Sequence, residues 1–159
     1  MPLANFNKQK CFYFKKHEAY SMKTKVSVQP NGLATHIGTP CPGAKSNITM
    51  FQENIEEHSA RVSKTANNPR DNGELSEQYP NCWGILANAG YVGAEYNLRV
   101  ITPHKQVAGL LTTMQLNHNR HLAHDRVIVE NFFGRMKQLW GMTSQVYQFQ
   151  QEDYEVYIT

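Results

Sequence analysis

Hydrophobic and polar positions alternate along the first third of the chain, and this pattern predicts a β-hairpin. Tyr20–Val28 alternates and contains β-branched residues, as strands with one buried face do. The turn signal Pro30-Asn31-Gly32 follows, and Leu33–Thr39 can return as the second strand. Because the two prolines of Pro40–Gly43 lack backbone donors, we expect strand pairing to end there.

A helical spacing replaces this alternation in the middle of the chain. Apolar residues recur every three or four positions over Asn47–Ser63, which predicts a helix with Ser46 or Asn47 as its N-cap. The polar stretch Lys64–Tyr79 contains Asn-Pro and Asn-Gly pairs, so it is predicted to be a loop.

Two short apolar segments and one long helical pattern complete the chain. Cys82–Ala87 is typical of a buried strand closed by Asn88–Tyr91, and Arg99–Thr102 is a second short strand. A helix is predicted over Arg120–Trp140, with Asn117–Arg120 as its entry. The order strand, strand, helix, strand, strand, helix indicates a mixed α/β domain with one core.

Composition narrows the class of protein without fixing its function. Hydrophobic residues make up 40% of the chain and charged residues 18%, as in ordinary globular domains. No apolar run approaches the ~18 residues that span a bilayer, and the N-terminus lacks a signal-peptide core, so we expect a soluble intracellular protein. Three well-separated cysteines, Cys11, Cys41 and Cys82, favour reduced thiols over a disulfide framework or a metal knuckle.

The charged residues say more about a possible partner and a possible metal site than the overall composition does. The formal net charge of +3 is compatible with a polyanionic partner but does not identify one. The chain contains three aspartates and 14 asparagines, so it offers few carboxylates to a divalent metal.

Four sequence blocks together resemble the catalytic domain of Harbinger-type and insertion-sequence-type DDE transposases. The blocks are Tyr20–Lys23, Pro42–Asn47, Leu86–Gly93 and Arg126–Lys137, the last followed by Trp140. They lie within about residues 12–145. The resemblance implies an α/β, RNase H-like mixed sheet with flanking helices. In that family three acidic residues hold two divalent ions, Mg²⁺ or Mn²⁺, which act in cutting DNA.

Only one of the three acids that the resemblance implies stands at its place. The last acid, in the Arg-x-x-Val-Glu pattern, corresponds to Glu130. The second, just before the Gly-Tyr pair, is replaced by Asn88, 42 residues earlier. A further position after Pro-Gly, commonly aspartate in the family, is Asn47. Glu130 and Asn88 mark the ancestral catalytic positions, and together with Asn47 they mark the metal-binding positions. The missing charges predict that the chain binds no metal or binds it weakly.

The first acid of the family lies on a central strand upstream of Tyr20, and no aspartate occurs there. Glu18 is the only acid before residue 50, and its Lys-Lys-His-Glu context makes it a poor substitute. We therefore expect the first central strand to be missing, unless Cys11–Phe14 fills the gap. The expected organisation is an irregular segment over residues 1–19, a partial domain over 20–145 and a remnant over 146–159, as in a fragment.

Basic and histidine side chains indicate function less specifically than the four sequence blocks do. Candidate contacts to DNA phosphates are Lys23, Lys25, Arg126, Arg135 and Lys137. Scattered solvated charges explain the same residues without DNA. The three-residue spacing of His118, His121 and His124 favours a solvated surface over a zinc site, since the outer two diverge on a helix. Trp83 and Trp140 are interpreted as core or interface residues rather than base-stacking platforms.

The leading hypothesis is a transposase-derived DDE endonuclease-like domain that is inactive as a nuclease. One alternative is an active, divalent-metal-dependent DNA endonuclease with a compensating or partner-supplied acid. Another is a DNA- or protein-interaction module that associates with itself or with a related transposase. The family implies DNA as partner and the nucleus as a location beside the cytoplasm, with no membrane attachment.

Overall fold

A computed structural model describes residues 10–15, 18–106 and 109–141, which form short strands and helices. The strands are β1 (Tyr13–Phe14), β2 (Ala19–Tyr20), β3 (Met22–Lys23), β4 (Val26–Val28), β5 (Ala34–Ile37), β6 (Cys41–Pro42), β7 (Ile85–Leu86) and β8 (Val100–Ile101). The helices are α1 (Asn47–Gln52), α2 (Ile55–Val62), α3 (Thr113–Asp125) and α4 (Val127–Leu139). Within these ranges no helix has the length and apolar character needed to cross a membrane.

The chain divides into two compact units. The first combines Met1–Lys45 with Val127–Thr159, and the second is Ser46–Arg126. Three antiparallel strand pairs, β1–β2, β3–β6 and β4–β5, belong to the first unit, and the parallel pair β7–β8 belongs to the second.

The predicted hairpin is confirmed, whereas the predicted end of pairing is wrong. β4 and β5 pair across the turn at Pro30-Asn31-Gly32, where Gly32 has a φ of 80° that favours glycine. The expected long strand over Tyr20–Val28 is divided among β2, β3 and β4. Pro40–Gly43 does not end pairing, because β6 pairs with β3 and the Gly43 amide donates to the Ser21 carbonyl at 2.8 Å. A proline loses only its donor, so its neighbours continue the ladder.

Close backbone approach makes Gly43 a special position. A Cβ on Gly43 would lie 2.5 Å from Ser21 Oγ, 2.7 Å from the Ser21 carbonyl oxygen and 2.9 Å from the Phe12 carbonyl oxygen. Next to it, the Ala44 amide donates to the Cys11 carbonyl at 3.0 Å. The Pro-Gly block therefore lies directly against the segment before β3, where a larger residue does not fit.

The predicted helix over Asn47–Ser63 is two helices, α1 and α2. Ser46 is the N-cap of α1, since its Oγ accepts the Thr49 amide at 3.1 Å. Between the helices, the Asn54 side chain donates to the Met50 carbonyl at 2.9 Å. An asparagine that bonds backbone groups in this way competes with helix continuation, which accounts for the break.

The predicted helix over Arg120–Trp140 is also two helices, and its predicted start is wrong. α3 begins at Thr113, so Asn117–Arg120 lies inside the helix. Thr112 forms a capping box with Gln115: Thr112 Oγ1 accepts the Gln115 amide at 3.2 Å, and the Thr112 amide donates to Gln115 Oε1 at 2.9 Å. Trp140, expected in a core or interface, is 59% exposed.

The second unit contains a buried apolar cluster. Its buried members are Phe51, Ala87, Ala94, Leu98 and Val100. The Ile85 amide donates to the Arg99 carbonyl and the Ala87 amide to the Ile101 carbonyl, both at 2.9 Å, which ties β7 to β8 beside this cluster. The predicted strand Cys82–Ala87 is thus confirmed only at its end. Cys11, Cys41 and Cys82 are free cysteines, and only Cys41 is buried.

The mixed α/β class is confirmed, but a single mixed sheet is not seen. Over 10–15, 18–106 and 109–141 the strands form four separate two-stranded pairs. Cys11–Phe14 does not supply a central strand, because Tyr13–Phe14 forms a local hairpin with β2.

Candidate functional site

Asn88 stands where the parallel pair ends. The buried Ala87 completes the backbone ladder, and Asn88 follows as the N-cap of the short 3-10 helix Ala89–Tyr91. Asn88 Oδ1 accepts the Gly90 amide at 2.8 Å. This hydrogen bond also identifies the side-chain oxygen, because only an acceptor can face an N–H group.

Packing of α1 brings Asn47 to the same place. Phe51 is 3% exposed and meets the Tyr91 ring edge-to-face, with centroids 6.1 Å apart, so α1 lies against the 3-10 helix. A Cβ built on Gly90 would lie 2.7 Å from Asn47 Nδ2 and 2.9 Å from Asn88 Oδ1. The structure therefore brings two of the sequence-predicted site residues together, and we call Asn47 and Asn88 the asparagine pair.

The asparagine pair does not fit a divalent-metal site. Its side chains are neutral amides, whereas hard cations require oxygen ligands and, for two ions, negative charge. The one side-chain oxygen of Asn88 already accepts the Gly90 amide. An aspartate could accept that amide through one oxygen and present the other, but asparagine presents an NH₂ group there. Within the described ranges, no three His, Cys, Asp or Glu side chains are placed to hold a metal.

The two remaining acidic candidates, Glu130 and Glu18, belong to the first unit. Glu130 is exposed in the first turn of α4, which belongs to the first unit, whereas the asparagine pair belongs to the second. Glu18 is exposed at the turn between β1 and β2, with a φ of 50°.

Sequence reasoning missed an ionic cluster around Asp71. Its carboxylate accepts Lys64 Nζ at 2.8 Å, the Gly73 amide at 2.8 Å and two guanidinium nitrogens of Arg99. Hydrogen bonds from Arg99, then Lys64, then Gly73 hold the pKa of Asp71 well below its usual value. Arg99 also donates to the Glu74 carbonyl at 2.7 Å, so the cluster ties the loop to β8. Asp71-Asn72-Gly73 signals only a turn in the sequence.

Two other carboxylates of the second unit are also engaged. Glu74 Oε2 lies 2.8 Å from His118 Nε2, and Glu95 Oε2 accepts the Gly93 amide at 2.7 Å. The His118 ring also lies against the His104 ring, with centroids 4.7 Å apart. His121 is exposed, and His124 is exposed beside Asp125. The histidines of α3 thus do not form a three-ligand metal site with described neighbours.

Three of the five basic candidates for DNA contact have partners within the first unit or are buried there. Lys23 Nζ donates to the Lys45 carbonyl at 2.8 Å and lies 4.2 Å from the Phe14 ring centroid, and burial lowers its pKa. Lys25 is 9% exposed. Arg135 donates to the Gly32 carbonyl at 2.7 Å, joining α4 to the hairpin turn.

The other two basic candidates differ from each other in exposure. Lys137 is exposed in the last turn of α4. Arg126 is half-buried in the second unit. Burial raises the pKa of the Tyr91 hydroxyl, and the positive charge of Arg126 partly opposes that rise.

Comparison with known proteins bears on these positions. A family model described as "DDE superfamily endonuclease" matches residues 2–159. No curated protein and no solved structure gives a significant match.

Proposed function

Because the chain belongs to the DDE superfamily endonuclease family, we propose that it is a transposase-derived, RNase H-like domain without efficient nuclease activity. One observation carries this proposal. The only side-chain oxygen of Asn88 accepts the Gly90 amide, so the position of a family acid offers one neutral oxygen that is already hydrogen-bonded. A neutral amide does not supply the negative charge that holds two Mg²⁺ or Mn²⁺ ions close together.

Charge supports the same conclusion. Two-metal cleavage uses the ions to activate the attacking oxygen and to stabilise the departing one, and carboxylates must hold those ions close together. Asn47 and Asn88 supply no negative charge, which leaves Glu130 as the one family acid present. Asp71, Glu74 and Glu95 hold intramolecular partners, which argues against any of them as a compensating acid.

DNA is the partner that the family implies, and the nucleus or the cytoplasm is the location that accords with it. Lys137 is the basic candidate whose position best supports contact with DNA phosphates, since its side chain is exposed in the last turn of α4, whereas Arg126 is half-buried. In this proposal Lys23, Lys25 and Arg135 stabilise the first unit and contribute less to DNA contact.

Plasmid nicking in Mg²⁺ and in Mn²⁺ tests the loss of activity. We expect no nicking by the wild-type protein or by Asn88→Asp alone, because one restored carboxylate does not complete a set of three. Glu130→Gln controls for contaminating nucleases, since it leaves a contaminant's activity unchanged. Wild-type nicking that Glu130→Gln abolishes would establish the alternative of an active endonuclease.

Isothermal titration of the wild-type protein with Mg²⁺ and Mn²⁺ separates metal binding from catalysis. We expect no binding at micromolar strength. Micromolar binding that Glu130→Gln removes would contradict the proposal, because it would mean that the asparagine pair still helps to hold a cation.

A further inference from the structure

Lys23 and Cys41 lie directly opposite each other where β3 pairs with β6. Side chains at opposite positions of an antiparallel pair project from the same face, with Cβ atoms about 4.5–5.5 Å apart. Because the lysine amine stands on a flexible four-carbon chain, it can reach the sulfur across the pair. Cys41 is a free cysteine and is 8% exposed. The first unit therefore places a primary amine beside a buried thiol.

The amine of Lys23 is held near β6 by its neighbours. Its Nζ donates to the Lys45 carbonyl at 2.8 Å and lies 4.2 Å from the Phe14 ring centroid. The Lys45 amide donates to the Pro42 carbonyl at 3.0 Å, so the chain turns back beside β6 at this point. Burial lowers the pKa of Lys23, and the negative charge of a Cys41 thiolate opposes that change. A lowered pKa increases the fraction of neutral amine, which is the nucleophilic form.

The three cysteines differ in what an oxidised sulfur would meet. Cys11 is exposed, so a sulfenic acid there would meet solvent and the thiols of other molecules. Cys82 is half-buried and belongs to the second unit. Burial of Cys41 shields its sulfur from large thiols, which would otherwise compete with the Lys23 amine.

We propose that Lys23 and Cys41 form a peroxide-responsive covalent link between β3 and β6. Hydrogen peroxide is the oxidant: the Cys41 thiol takes one oxygen atom to give a sulfenic acid, and the peroxide is reduced to water. The neutral Lys23 amine then attacks that sulfur. An S–N bond forms, the S–O bond breaks, and the hydroxyl group leaves with an amine proton as water. The product is a sulfenamide, which a dithiol reduces to thiol and amine while it becomes a disulfide.

Mass spectrometry of the full chain after treatment with hydrogen peroxide tests this inference. Free thiols are alkylated, and trypsin then releases peptides 17–25 and 26–45, because trypsin does not cleave after a modified lysine. We expect these two peptides to be joined, at their summed mass less two hydrogen atoms, in either oxidation state of Met22. Dithiothreitol should separate them. The link should be absent when peroxide is added in urea, since β3 and β6 are then no longer paired.

Three variants identify the reacting atoms. Lys23→Arg keeps the positive charge but removes the nucleophilic amine, so it should abolish the link while dimedone still labels the sulfenic acid of Cys41. Cys41→Ser should abolish both the link and the label. Lys15→Arg is the matched control, because it makes the same chemical change at an exposed lysine of the first unit and should form the link as the wild-type protein does. Urea unfolding verifies that each variant is folded.

Stability gives an independent readout of the link. A bond between residues 23 and 41 restricts the unfolded chain, so the peroxide-treated wild-type protein should have a higher urea midpoint than the reduced protein. Dithiothreitol should reverse this rise, and Lys23→Arg should not show it. Oxidation of Cys41 in the folded wild-type protein without joined peptides would overturn the inference. An unoxidised Cys41, or joined peptides that persist in Lys23→Arg, would overturn it as well.

Discussion

Two glycines show how single residues position the blocks that define this chain. Gly43 lets its own segment lie against the backbone before β3, and Gly90 lets Asn47 approach Asn88. The neighbours differ in kind. Gly43 faces Ser21 Oγ and two backbone carbonyl oxygens, and the carbonyl oxygens cannot move alone, whereas Gly90 faces only the ends of side chains, which can rotate away.

Gly43→Ala should therefore reduce the free energy of unfolding by roughly 1–3 kcal/mol, because the added methyl group forces the backbone apart. Urea denaturation measures this change. Gly134→Ala is the control: among the described residues, no atom outside its own helix backbone and its chain neighbours lies within 4 Å of the added Cβ, and alanine favours the helix by roughly 0.5–1 kcal/mol. Equal stability of Gly43→Ala and wild type would contradict the close approach.

The sequence predicted which residues form the site better than it predicted which hydrogen bonds their atoms make. The sequence blocks identified Asn47 and Asn88 as related positions, and the structure brings them together. Which atom of Asn88 faces Gly90 depends on the 3-10 turn, which carries no strong sequence signal. Asp71 was missed because its partner Arg99 lies 28 residues away, and such pairing depends on the tertiary fold.

At the scale of elements, periodicity located the helices but not their ends. The apolar pattern weakens before residue 120, whereas α3 begins at Thr113 because local hydrogen bonds start it. Similarly, Asn54 divides α1 from α2 inside one continuous apolar pattern. Capping interactions of single polar residues therefore set boundaries that periodicity does not reveal.

Thr112→Ala should reduce the free energy of unfolding by about 1 kcal/mol and lower the helical signal in circular dichroism, because the Gln115 amide loses its acceptor. Thr113→Ala serves for comparison, since its exposed side chain lies one residue inside the helix, and should change stability by less than about 0.5 kcal/mol. Equal effects of the two substitutions would argue against the cap.

Asp71 holds the loop between α2 and β7 through its ion pairs. The stability that these ion pairs supply therefore depends on pH. In the folded state the pKa of Asp71 lies below its ordinary value of 3.8. Its ion pairs therefore stabilise the protein above pH 3.8, and this stabilisation is lost as the pH falls through the folded-state pKa. Asp71→Asn should lower the urea midpoint at pH 7, and its difference from wild type should shrink below about pH 4.

Asp125→Asn provides the comparison for this pH series. The Asp125 side chain is 60% exposed and lies beside the exposed His124. Removing its charge should therefore leave the urea midpoint nearly unchanged at pH 7. A difference between Asp71→Asn and wild type that persists undiminished at pH 3 would show that the loop is not held by the charge of Asp71.

At the scale of the whole molecule, the chain divides into two compact units. Most of the buried apolar residues belong to Ser46–Arg126, including Phe51, Leu98, Val100 and Leu122. The first unit relies on short antiparallel pairs and on backbone hydrogen bonds around Gly43. Sequence patterning reports which residues are apolar but not how distant segments share them, so the division could not be predicted.

An isolated chain of residues 46–126 should consequently unfold cooperatively in urea, because it contains its own apolar cluster. Phe51→Ala in the same fragment should abolish the transition, since removal of a buried phenylalanine costs about 3–5 kcal/mol. A gradual loss of circular dichroism without a transition would show that the cluster needs the rest of the chain.

The hydrogen bonds of two turns have a consequence for chemical ageing. The chain contains two Asn-Gly dipeptides, and deamidation there requires the glycine nitrogen to attack the asparagine side chain. The Gly32 nitrogen donates to the Gln29 carbonyl and the Gly73 nitrogen donates to Asp71, both at 2.8 Å. Peptide mapping after long incubation should therefore find Asn31 and Asn72 largely intact in the native protein and converted to aspartate or isoaspartate much faster in urea.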